Sequence, residues 1–396
     1  MQLLHGTFQH YAWGTTDAIP DLLGQPADGR PFAEYWLGAH PLAPSKVAGV
    51  RLDTLVAEHP EIVGEASRAS FGDRLPYLVK VLSARHPLSL QAHPSRDQAR
   101  DGFARENAAG LALDAPERTY RDDWPKPELL IALDEFHSLS GFRDPVRTAA
   151  LFGGLGIADQ LVSVIGPLTQ RKGPAALAEV FLDVLSLEGD RARLSELVCA
   201  AAMQKKDFPG ELGEFARTVL ELDEVFPSDP GILAALLMNR VTLQPGEAMY
   251  VPAGQMHAHL LGTGIEVMAN SDNVIRGGLT NKHLDVGELV KVVDFDPSVP
   301  TTTKAVAVRP GIQRYETPCQ EFDVWRLAPS STMEPLLLPG GRSARILLVI
   351  SGAAEVTTGA ERLTLQRGEA AFLPASDEVA TIGGDAVAFL TASGLR

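Results

Sequence analysis

The stretch VPAGQMHAHL at 251–260 places His257 and His259 one residue apart, directly after a Pro-x-Gly turn. In an extended chain, side chains two residues apart share a face, so both imidazoles point to the same side of a strand. LQAHP at 90–94 repeats that spacing with Gln91 and His93, and KPELLIAL at 126–133 sets Glu128 at the head of an apolar run that has no other use for a charge. Imidazole nitrogen with carboxylate or amide oxygen suits zinc and similar divalent ions, and three or four such groups from separate strands could converge inside a barrel. Spacing alone leaves open whether both histidines, one or neither holds a metal, because a lone histidine is as readily a hydrogen-bonded core residue.

The elements that must position these groups are also legible. Tyr77 to Leu82 and Leu88 to Ala92 read as two short strands joined by a polar link, and the same character returns at 241–251 and 264–269. Between about 142 and 228 the pattern changes. Asp144-Pro145 and Asp229-Pro230 each read as an N-cap followed by Pro at the first helical position, and Leu177, Val180, Phe181, Val184 and Leu185 form one apolar helix stripe. A helical insertion is therefore expected inside a β domain.

Later the chain echoes itself. LQPGEAMYVPAG at 243–254 is matched by LQRGEAAFLPAS at 365–376. In that register Val379 takes the place of His257 and Thr381 that of His259, so the second unit keeps the strand and turn signals without the candidate ligands. The expected fold is mainly β with a helical insertion: two related antiparallel jelly-roll barrels, one with the candidate ligands and one a C-terminal β unit. The expected boundaries are 1–142 and 229–308 for the domain with the candidate ligands, 143–228 for the insertion and 309–396 for the metal-free unit.

A chain of 396 residues has room for two or three domains. Its net charge of -15 opposes attraction to nucleic acid or an anionic membrane, so neither partner is expected; an anionic small molecule needs cations gathered in one pocket. No run of about 18 apolar residues could span a bilayer. The N-terminal MQLLHGTFQHYAWG has no basic and apolar leader pattern, and a cytoplasmic location is expected. Cys199 and Cys319 sit in no Cys-x-x-Cys pattern and are expected as buried small hydrophobes. Nothing in the sequence decides the oligomeric state, and a monomer is compatible with it.

Several motifs in order resemble the type I mannose-6-phosphate isomerase family, zinc-dependent enzymes of cupin fold. They are YAWG at 11–14, AEYWLGAHP at 33–41, QAHP at 91–94, FARENAAG at 103–110, KPE at 126–128, MHAHL at 256–260 and EVMANSDNVIRGGLT at 266–280. The resemblance covers most of 1–293 and implies one Zn2+ per chain on Gln91, His93, Glu128 and His257. It also implies a phosphosugar substrate, with mannose 6-phosphate and fructose 6-phosphate interconverted by proton transfer between C1 and C2. That chemistry needs a base near those carbons, a group that moves protons between oxygens, and positive charge for the developing oxyanion.

Matching positions supply candidates. Arg276 offers fixed charge for the enediolate, Glu266 and Asp272 offer acid/base groups, and Lys126 reaches sugar oxygens. Lys80, Ser89, Lys282 and His259 are expected to line the substrate pocket, the lysines and Ser89 toward the phosphate. This chain departs from the family's usual pattern at Trp124-Pro125, where Asn-His is common, at His259, where tyrosine is common, and at Asn281, where proline is common. Two other readings are a non-catalytic phosphosugar-binding cupin protein and an Fe(II) oxygenase. The oxygenase needs two histidines, one carboxylate and open positions, and a fourth ligand at Gln91 argues against it.

Overall fold

The structure is a computed structural model that describes residues 1–187, 193–359 and 361–395. Strand Tyr77–Ala84 is buried along its whole length, which is why its sequence is apolar apart from Lys80 and Ser83. It pairs antiparallel with Glu34–Gly38 on one side and with the long strand His257–Ala269 on the other. The sheet continues from that strand to Glu128–Ala132 and then to Glu247–Val251.

His257–Ala269 serves two sets of neighbours. Its second half lies between Tyr77–Ala84 and Glu128–Ala132, while its first half pairs with Phe136–Phe142 and, at His257, with Gln91. The change of partner falls at a register shift between His259 and Leu261. Gly262 follows with φ 121°, and a Cβ there would sit 2.8 Å from the Glu135 carbonyl oxygen. Only glycine fits both the backbone angle and the close approach.

Helices from Pro145–Gly154 to Gly231–Ala235 pack beside this bend. The Asp144 side chain caps the first, accepting from the Arg147 N–H at 2.9 Å, with Pro145 at the first helical position as expected. At the other end Asp229 accepts from the Gly231 N–H, but the helix begins one residue after Pro230. In helix Pro174–Leu185 the stripe Leu177, Val180, Phe181 and Val184 is buried, and each such side chain contributes about 1.5–3 kcal/mol. The stripe shares one apolar cluster with Leu90, Ala92, Met256 and Ala258, so the helical layer backs the segments that carry the candidate ligands.

The second sheet is built on Arg345–Thr358 and Ala380–Ala392, paired along nearly their full lengths. The N-terminal strand Gln2–His5 joins this sheet, between Ala370–Leu373 and Lys46–Val47.

Closed jelly-roll barrels do not form. Among the described residues each of the two sheets has 11 strands, and the main path of each is open: nine strands run from Val306–Arg309 to Val50–Arg51 in one and seven from Thr302–Lys304 to Thr7–Gln9 in the other, the rest branching from these paths. With twelve α-helices among the described residues, the fold is mixed α/β rather than mainly β. Period-two patterning tells which face of a strand is buried and says nothing about whether the outermost strands meet. Both cysteines are free and only partly buried, Cys319 Sγ lying against the Phe322 carbonyl, so neither is the fully buried hydrophobe expected. Among the described residues no helix is long and apolar enough to cross a membrane.

Candidate active site and metal centre

Glu128 opens its strand beside Met268 and Val251, and His257 opens the neighbouring strand opposite Gln91. His93 lies just past the short strand Leu90–Ala92. The chain thus brings three strand ends together, and the reactive atoms of His93, Glu128 and His257 all lie within 4.8 Å of one another. All three residues are buried.

The tautomers follow from their outer partners. His93 Nδ1 lies 2.8 Å from the Asn273 carbonyl and His257 Nδ1 lies 3.2 Å from that of Gln255. A carbonyl only accepts, so Nδ1 carries the proton in each ring and Nε2 turns a lone pair inward. Each Nε2 is 3.2 Å from a Glu128 oxygen. Yet His93 Nε2, His257 Nε2 and Glu128 Oε2 have no hydrogen-bond partner. Buried polar atoms left orphaned in a well-packed interior call for a missing partner, and these donor types and their spread fit a zinc ion. Burial, offset in part by Glu128, lowers the His93 imidazole to about 4, keeping it in the neutral form that binds metals. Burial alone would raise Glu128, but His93 and Lys126 outweigh it and hold the carboxyl well below its usual range. Gln91 stands between His257 and Arg276 in the strand register, placed to add an amide oxygen.

Beside this cluster lies a cavity of about 210 Å³ whose lining includes Glu128, Lys126, Lys80, Glu266, Asp272 and His259. Lys126 Nζ is 3.2 Å from Glu128 Oε1. Lys80 and Glu266 face each other in register, Nζ to Oε2 3.1 Å, and Lys80 is also 3.3 Å from Glu34 Oε1. Burial works against the Lys80 charge, but Glu34, Glu266 and Glu128 overcome it and raise its pKa. Burial likewise works against the Glu266 charge, and Lys80 together with His259 brings that carboxyl down to about 2. His259 bridges Ser138 Oγ at 3.1 Å and Glu266 Oε1 at 3.2 Å, so it stands apart from the orphaned trio. It does belong to a second close group with Glu128 and Glu266.

Arg276, Lys282 and Ser89 open onto a larger cavity of about 620 Å³, which shares Leu88, Gln91 and Val274 with the smaller one. Lys80 does not line it. Burial and then Arg121 lower the pKa of Arg276, and burial, Arg276 and Arg121 lower that of Lys282. Among the described residues neither cation has an ion-pair partner. Cations are thus gathered locally in an acidic protein.

Several contributors escaped the sequence reading. Asn273, fully buried, accepts the His93 Nδ1–H hydrogen bond on its backbone carbonyl and ties its side chain to Arg121, Asp122 and Trp124. Glu34, Arg121 and His40 were also missed. The first and last lie inside AEYWLGAHP, where a carboxylate and an imidazole in an otherwise apolar strand segment were available signals. Trp124 is buried under Arg74, 4.4 Å from ring centroid to guanidinium, and only its carbonyl reaches the Ser271–Asn273 loop.

Residues 1–145 match the family model for the phosphomannose isomerase type I catalytic domain, and 322–391 match the mannose-6-phosphate isomerase cupin domain. Mannose-6-phosphate isomerase of Escherichia coli K12 is 36% identical over 392 residues, covering 97% of each chain. The chain belongs to the type I phosphomannose isomerase family. The mouse mannose-6-phosphate isomerase is 32% identical over 94% of this chain and 92% of its own. A family crystal structure of mannose 6-phosphate isomerase bound with zinc and yttrium aligns over all of both chains with TM-score 0.90 at 34% identity. The apo form from Salmonella typhimurium aligns with TM-score 0.90 at 34% identity over 100% of this chain and 99% of that one.

Proposed function

We propose that this type I phosphomannose isomerase interconverts mannose 6-phosphate and fructose 6-phosphate with one Zn2+ held by Gln91, His93, Glu128 and His257. The observation that carries this reading is the set of orphaned lone pairs on His93, His257 and Glu128, at the wall of a cavity that also holds Lys80–Glu266, Lys126 and Asp272. Bound zinc supplies Lewis-acid polarisation of the sugar oxygens. The chain supplies the rest. Glu266 and Asp272, both held below their usual range, are ionised at neutral pH and so begin as bases, taking the proton from one carbon and returning it to the other as it passes between C1 and C2. Lys126 donates to sugar oxygens, and His259, braced by Ser138, holds Glu266 in place opposite Lys80.

Lys80 is already neutralised by two carboxylates, which suits it to keeping Glu266 charged beneath the sugar rather than to gripping a phosphate. Lys282 and Ser89 take the phosphate in the larger cavity, and Arg276, beside Gln91 at the shared wall, lends its fixed charge to the enediolate. We assign the enzyme to the cytoplasm, where charged phosphosugars are retained and free thiols such as Cys199 and Cys319 stay reduced. The test is to add mannose 6-phosphate to purified protein and follow fructose 6-phosphate by NMR, with and without chelator. Turnover that chelation abolishes is expected; binding without turnover would leave a phosphosugar-binding protein.

A further inference from the structure

His40 lies in the same cavity as Asp272, on the loop that follows strand Glu34–Gly38. It is buried and packs edge-on against Trp36, ring centroids 4.8 Å apart. The Leu42 backbone N–H donates to His40 Nδ1 at 3.3 Å. An N–H cannot accept, so Nδ1 is the bare nitrogen of the neutral ring and the proton sits on Nε2. That nitrogen is 3.2 Å from Asp272 Oδ1. The Asp272 backbone is fixed separately, its N–H donating to Asp122 Oδ2 at 2.7 Å while Ser271 Oγ donates to Asp122 Oδ1 at 2.8 Å.

We propose that His40 is a positioning residue for the isomerisation: through Nε2–H it occupies Asp272 Oδ1, fixes the carboxylate's orientation and leaves Oδ2 as the oxygen that takes the proton. This rests on the role given to Asp272 above. A hydrogen bond to the ionised form favours that form, so His40 also sets the pH at which Asp272 becomes competent as a base. The other groups acting on Asp272 are Lys126 and Lys80, which favour its charge, and Asp122 and Tyr11, which oppose it once ionised. His40 alone among them both touches the carboxylate and has its proton position dictated by backbone.

The experiment compares His40→Ala, His40→Gln, Asp272→Asn and the double variant His40→Ala/Asp272→Asn, with kcat/KM measured against pH and zinc per chain measured at each pH. In His40→Ala the acidic limb should move up by roughly one pH unit, the size of one lost hydrogen bond to a charged group, with zinc content unchanged. The amide of His40→Gln can reach the same oxygen and should restore most of the shift. The double variant should be no slower than Asp272→Asn, because His40 acts only through that carboxylate. An unmoved limb in His40→Ala, or losses that add in the double variant, would overturn the inference while leaving Asp272 its role. Full turnover in Asp272→Asn would remove that role and the inference with it, and zinc loss in His40→Ala would make the residue a metal-site support instead.

Discussion

Two turns in this molecule are built alike to the level of single bonds. In the first the Gln244 N–H donates to Glu247 Oε2 at 2.9 Å, and in the second the Gln366 N–H donates to Glu369 Oε2 at 2.8 Å. Gly246 and Gly368 turn the chain with φ 84° and 87°, and a 13-residue strand follows each, His257–Ala269 and Ala380–Ala392. Beyond the turn the likeness ends. His257 is fully buried beside the candidate ligands His93 and Glu128, whereas Val379 is 69% exposed; Glu266, paired with Lys80, corresponds to the buried apolar Ala388. One strand bends at its register shift and reaches Gln91 and Phe136–Phe142, while the other stays paired with Arg345–Thr358. The turn is therefore scaffold. Chemistry entered where a few side chains changed and a bend gave them partners from other strands.

The largest test of this contrast exchanges the two positions. His257→Ala should empty the metal site and lower turnover by more than the roughly 100-fold typical of losing an outer partner alone, whereas Val379→Ala should leave zinc, activity and stability within about 0.5 kcal/mol of the parent. Metal analysis should give one zinc per chain, and a second zinc held in the later sheet would break the comparison. Next in size, Arg276→Ala should lower kcat about 10²-fold with zinc retained, and Arg276→Lys should recover part, since an ammonium lacks the guanidinium fork. Near-parental turnover in Arg276→Ala would remove the charge from the mechanism.

A third test uses pH. Glu266 is depressed to about 2 in the folded state, so its contribution to stability is complete above the unfolded carboxylate range and is lost as pH falls toward 2. In metal-free protein the fall in Tm on acidification should become shallower in Glu266→Gln; an unchanged slope would take Glu266 out of the acid response. The smallest effects separate the twin turns themselves. Both glycines have positive φ, so Gly246→Ala, with open space around its Cβ, should cost about 1 kcal/mol. Gly368→Ala should cost more, because its Cβ would lie 2.4 Å from Leu23 Cα. Urea midpoints that are equal for the two variants would show that the sheets do not differ in how tightly they hold the turn.

The sequence disclosed what is local. The echo at 243–254 and 365–376, the stripe on helix Pro174–Leu185, the Asp144 cap and the strand-end ligand types are all written within a few residues of one another. What it left hidden depends on residues far apart in the chain. Sheet closure was expected and does not occur, because the strands that would have to meet are set by pairings no short pattern records. His40 and Asp272, or His93 and Asn273, lie more than 150 residues apart and meet only through the folded sheet. Parity put His259 on the same face as His257, but parity does not report that Ser138 and Glu266 hold its two nitrogens.

Strand Gln2–His5 closes against Ala370–Leu373, and the Met1 ammonium lies 2.7 Å from Asp377. Strand Gln2–His5 is therefore made long before Ala370–Leu373 and can be paired with it only once that strand exists. Such a pairing, Gln2 opposite Phe372, closes a very long loop, the kind of contact that slows folding most. Completion of the second sheet waits on this pairing, and until it happens the Ala370–Leu373 edge of that sheet stays open to other chains.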